Sequence, residues 1–73
     1  PNFMERLNMI CPNLSAIDTK VCMLTKIGLS PVSIAKVLNY SRQGITNIRS
    51  RIHKRIQKIG GKYANFDDFI DSF

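Results

Sequence analysis

Apolar residues along this chain recur at intervals of three and four rather than two, and each run is bounded by a capping or breaking residue. Phe3, Leu7 and Ile10 keep helical spacing until Pro12, which predicts a short leading helix. Ser15 opens the next run as a cap, and Asp18, three residues on, takes the capping-box position with the shorter acid. Ile17, Val21, Leu24 and Ile27 then mark one apolar face, and Gly28 supplies a left-handed stop. Ser30-Pro31, a capping hydroxyl followed by a proline in the first turn, starts a third helix of roughly Pro31 to Leu38. Its buried stripe is expected at Ile34, Val37 and Leu38, with Ala35 small enough for a close helix approach.

Asn39-Tyr40 makes a tight turn, and Ser41 caps a fourth helix, about 42–59, that meets no breaker before Gly60-Gly61 apart from Gly44 in its first turn. In the tail, Phe66, Phe69, Ile70 and Phe73 follow each other at spacings of three, one and three, the mark of a fifth, amphipathic helix. With no strand-like alternation, the pattern predicts an all-α fold. It is a small helical bundle with a helix-turn-helix and about four to five helices. Residues 1–12 read as a leading helix or linker and residues 13–73 as the domain proper.

The fourth helix is the most informative segment. At 100° per residue, Ile45, Ile48, Ile52, Ile56 and Ile59 fall inside an arc of about 80°, a buried back. The opposite face carries Gln43, Thr46, Asn47, Ser50 and Lys54, which all form hydrogen bonds and include no acid. Arg42 and Arg49 flank the stripe on one side, Arg51, Arg55 and Lys58 on the other. That is the layout of a helix that reads base edges with its front and holds phosphates with its edges. The candidate base contacts are therefore Gln43, Thr46, Asn47 and Ser50. The candidate phosphate contacts are Arg42, Arg49, Arg51, Lys54, Arg55 and Lys58.

Charge sharpens this picture. The formal net charge is +6, from eleven Lys and Arg against five Asp and Glu. Arg42, Arg49, Arg51, Lys54, Arg55, Lys58 and Lys62 crowd a stretch without an acid, whereas Asp67, Asp68 and Asp71 sit in the tail, which is expected to face away from a polyanion. At 73 residues the chain holds one domain at most, too small for a deep catalytic cavity. It has no convergent Ser/His/acid set, no paired carboxylates outside the tail and no phosphate loop, so no enzyme, catalytic residue or cofactor is expected. Cys11, Cys22 and the lone His53 do not make a metal site, and the cysteines are expected to be reduced and packed. His53 is expected at the surface or beside a phosphate, and Tyr40 as a packing side chain with its hydroxyl in water. No run approaches a membrane span and no leader is evident, so membrane contact is not expected and the location is expected to be cytoplasmic.

From Leu14 to Ile56 the chain resembles the LuxR/GerE-type helix-turn-helix domains, the DNA-binding output modules of bacterial transcriptional regulators. The residues that carry the likeness are Leu14-Ser15, Asp18, Val21, Leu24, Gly28-Leu29-Ser30, Ile34-Ala35, Leu38, Ser41, Ile45, Ile52 and Arg55-Ile56. The likeness implies double-stranded DNA as partner, the helix after Ser41 in the major groove, Thr46, Asn47 and Ser50 facing bases, and a homodimer. It departs from the family pattern at Gly44, where Thr is common, at Thr46, where Lys is frequent, and at Ser33, where an acid is usual. The particular site read is therefore not transferable. The ending from Asn65 to Ile70 is similar to the close of such domains in Bacteroidetes regulators, which implies a sensor domain upstream of Pro1. Phe66, Phe69, Ile70 and Phe73 have two readings, as core cover or as a self-association surface. Two rival functions stay open: a sigma-factor region-four-like promoter-binding module, and a basic helical protein-interaction module.

Overall fold

The computed structural model describes residues 2–73. Five helices follow one another: α1 Phe3–Ile10, α2 Ala16–Lys26, α3 Pro31–Leu38, α4 Arg42–Lys58 and α5 Phe66–Asp71. There is no strand among the described residues.

Local chemistry accounts for where the helices begin. The side chains of Ser15, Ser30 and Ser41 each accept from the amide three residues on, as do those of Asn2 and Asn65, so every helix satisfies one of its orphan donors. At α2 the box is complete, because the Ser15 amide donates to Asp18 Oδ2 at 3.4 Å while the Asp18 amide donates to Ser15 Oγ at 3.3 Å. The helix ends are equally local. α2 and α4 close on Gly28 (φ 103°) and Gly60 (φ 91°), whose positive φ suits a residue without a Cβ. The Leu29 amide donates to the Leu24 carbonyl and that of Gly61 to the Ile56 carbonyl, the long bond of a Schellman ending. α3 ends the same way on Asn39 at φ 56°, a left-handed conformation that asparagine tolerates, and this produces the three-residue turn into α4.

All five helices contribute to one core. Leu7 and Cys11 come from the leading helix and its end, Val21 and Cys22 from α2, and Ile34 and Ala35 from α3. Ile45, Ile48, Ile52 and Ile56 come from α4, and Phe66, Phe69 and Ile70 from α5. The tail aromatics lock together edge-on: Phe69 lies 5.3 Å from Tyr63 and 5.2 Å from Phe73, and Phe73 lies 5.1 Å from Phe3. Of the two readings of these aromatics, core cover is what the fold shows. Phe66, Phe69 and Ile70 are buried and Phe73 is partly so.

Three expected core positions are corrected. Ile59 is 57% exposed: the helical register assigns it to the stripe, but it is the capping residue of α4 and lies past the helices that cover the rest. Val37 is 61% exposed, because α3 centres its buried face between Ile34 and Ala35, which turns Val37 to solvent. Ile27 is 71% exposed for both reasons. It stands outside α2, and the core face of that helix is rotated from the Ile17–Leu24 line toward Val21 and Cys22, leaving Ile17 and Leu24 only partly buried.

Candidate nucleic-acid interface

With its isoleucines packed inward, α4 presents Gln43, Thr46, Asn47, Ser50 and Lys54 along one exposed face. Ser41 holds the start of this face, since its hydroxyl accepts from the Gly44 amide at 3.0 Å. Gly44 fits beneath the cap: a Cβ there would stand 3.1 Å from Ser41 Oγ and 3.4 Å from a Tyr40 ring carbon. Gln43 Nε2 donates to Asn47 Oδ1 at 2.8 Å, one turn along. The bond fixes the Asn47 amide and leaves its N–H donors and a second lone pair free. All four candidate base contacts thus stand on one surface.

The six candidate phosphate contacts divide. Arg42, Lys54 and Lys58 are exposed and make no ion pair among the described residues. Arg51 forms an ion pair with Asp18, whose side chain is almost wholly buried while that of Arg51 is 60% exposed. The carboxylate that completes the α2 cap therefore also anchors α4, and burial of that charge is offset by a guanidinium and a backbone amide. Arg55 donates to the Asn13 carbonyl at 3.2 Å, a second tie from α4 to the segment before α2.

Arg49 is committed further. Its guanidinium meets Asp67 Oδ2 at 2.9 Å, stands 4.9 Å from the centroid of the Phe66 ring, and its side chain is only 17% exposed. For Asp67, the expectation that the acidic tail turns away is corrected here. Asp67 is drawn to α4 because Phe66 is anchored in the core beside Arg49.

Two depressions border the face. The larger, ≈ 500 Å³, runs between α4 and the leading end of α2, where Leu14 and Asp18 form the far wall. The smaller, ≈ 220 Å³, lies on the other side, walled by Ala64, Asn65 and Phe66. Ser50 borders both. His53 lines the smaller one, half-buried, with Nδ1 buried and without a hydrogen-bond partner. Tyr40, expected as a packing side chain, is 46% exposed. The sequence offered a signal for Asp18, its capping position, but none for its reach to Arg51, thirty-three residues away. The wall at Ala64 and Asn65 carried no signal.

Cys11 and Cys22 are both free and buried. Burial pushes the Cys22 thiol up to about 12, with the nearby Asp18 and Cys11 acting in the same direction. Burial also raises Cys11, against the opposing charge of Arg55. Both thiols therefore stay protonated at neutral pH, as packed side chains rather than nucleophiles. Among the described residues no three His, Cys, Asp or Glu side chains gather into a metal site, and no helix is long and apolar enough to cross a membrane.

Searches of protein-family models, curated proteins and solved structures found no match to this chain.

Proposed function

We propose that this domain binds duplex DNA sequence-specifically, as the output module of a transcriptional regulator, with α4 seated in the major groove. One observation carries the reading: the whole exposed front of α4 is built of hydrogen-bonding side chains with no acid, on a helix whose back is fully committed to the core. The pair α3–turn–α4, with each helix capped by its own serine, supports it, since this unit delivers a recognition helix braced from behind. The likeness of residues 14–56 to LuxR/GerE-type domains points the same way and extends the proposal to a bacterial cytoplasmic regulator acting as a dimer. In that reading Gln43, Thr46, Asn47 and Ser50 address base edges and the exposed cations address phosphates.

Selection from random duplexes at moderate salt tests the proposal, and enrichment of a motif is the expected result. Recovery of no motif would instead favour a helical module whose basic face meets an acidic protein. Within the helix, Asn47→Ala is expected to shift the preferred sequence, at about 1–3 kcal/mol for one base pairing removed, whereas Lys54→Ala weakens all duplexes alike. Uniform loss for Asn47→Ala, measured across a panel of duplexes, would remove it from the reading set.

A further inference from the structure

A helix in a major groove lies between two sugar–phosphate strands, and the reading face of α4 lies between two depressions. The two are unlike. On the α2 side, Arg51, Lys54, Arg55 and Lys58 line the depression against a single carboxylate, Asp18, which is itself buried. On the α5 side the only lining cation is Arg49, whose charge is met by Asp67 and whose flat face rests on Phe66. The remaining wall there is Ala64, Asn65 and the half-buried His53. Arg42, on the Arg49 flank by its helical register, is exposed at the first turn of α4 but lines neither depression, so the α5-side wall itself stays nearly neutral.

We propose that the domain grips the two strands of its duplex unequally. Within one half-site, the strand on the α2 side occupies the basic depression and supplies most of the phosphate contacts. The strand on the α5 side meets a nearly neutral wall. The inference rests on the duplex-binding reading and adds to it the side from which affinity comes. Its physical basis is partner exchange. For Arg49 to reach a phosphate it must release Asp67, trading one anion for another with little net gain, while Lys54 and Lys58 exchange only water and counterions. Arg49 thus acts as a strut between α4 and α5. Arg51, held at its root by Asp18 yet 60% exposed, still offers N–H donors to the depression.

The full chain, titrated with a fluorescent duplex over a range of salt, gives the test. Wild type shows log affinity falling linearly with log salt. Lys54→Ala with Lys58→Ala should flatten that slope by about 1.8, at about 0.9 for each phosphate no longer neutralised. Arg49→Gln should leave it unchanged, and Asp67→Asn, by freeing Arg49, should steepen it by up to about 0.9. Should Arg49→Gln unfold, duplexes carrying neutral methylphosphonates in one strand of a single half-site at a time make the same measurement on the wild type. Substitution in the α2-side strand should weaken binding about tenfold or more, and in the other less than about twofold, taking roughly tenfold per 1.4 kcal/mol. Equal losses from the two strands, or equal flattening by Arg49→Gln and Lys58→Ala, would overturn the asymmetry while leaving duplex binding intact. If the wild type bound no duplex at all, the functional reading would fall and this inference with it.

Discussion

Cys22 shows how much one side chain's surroundings alter its chemistry. Fully enclosed, and close to the carboxylate of Asp18 and the thiol of Cys11, it holds its proton far more tightly in the folded chain than when exposed. A group with a raised folded pKa contributes stability that is complete below its unfolded value and lost as pH rises through the folded one. The domain should therefore lose stability between the ordinary thiol value of 9.0 and about 12. Chemical denaturation at several pH values should show a steeper alkaline decline in wild type than in Cys22→Ala, whatever the cost of the substitution itself. Parallel declines would mean that the thiol titrates alike in both states. At the same scale, Asp18 performs two tasks with two oxygens: Oδ2 completes the α2 cap and Oδ1 holds Arg51. The first was readable from the spacing of Ser15 and Asp18. The second joins α2 to α4 and has no local sequence signal.

Among elements, α4 shows best how caps and faces cooperate. Its seventeen residues include Gly44, β-branched isoleucines and like-charged pairs four residues apart, Arg51 with Arg55 and Lys54 with Lys58, which disfavour an isolated helix. Four buried isoleucines hold it in place along its length, and Ser41 holds its start. Ser41→Ala removes the acceptor for the Gly44 amide and is expected to cost about 1 kcal/mol, within the usual range of about 0.5–2 for such caps. Thermal unfolding would register this. Because the first turn carries Gln43 and leads into Thr46, the same variant should also weaken duplex binding more than its stability loss explains, and undiminished binding would mean that the turn holds without its cap. The bounds of α1 follow from its apolar spacing and Pro12, those of α3 from its cap and apolar spacing, and α4 differs by a residue, since these signals act within one turn of the chain. The rotation of α2 about its axis was not readable. Ile17 and Leu24 look as apolar as Val21, and only the neighbours decide which of them turns inward.

At the scale of the whole molecule, α5 closes the structure. It is six residues long, too short to persist alone, yet it contributes Phe66, Phe69 and Ile70 to a core drawn from every helix. Phe69 has no exposed surface and touches two further aromatic rings, so Phe69→Ala is expected to cost about 3–5 kcal/mol, a large share of the stability of a domain this small. Chemical denaturation measures it, and a loss under about 1 kcal/mol would show that α5 is peripheral to folding. The aromatic tail and the basic helix are joined through Arg49, Asp67 and Phe66, so the element that completes the core also sets the charge of one flank of the reading face.

The order and extent of the helices, the serine caps, the isoleucine back of α4 and its acid-free front are all properties of residues within a few positions of one another. Hydrogen bonding at helix ends and a 3.6-residue period suffice to specify them. Where those helices stop covering each other, which apolar side chains are left in water, and which cations are tied down depended on packing between segments distant in the chain. Ile59, Val37 and Ile27 are exposed because burial requires a neighbour as well as a face. Arg49 and Arg51 differ from Lys54 and Lys58 because the carboxylates that reach them arrive from α5 and α2. Sequence spacing assigns a charge to a side of a helix. The fold determines whether that charge is free.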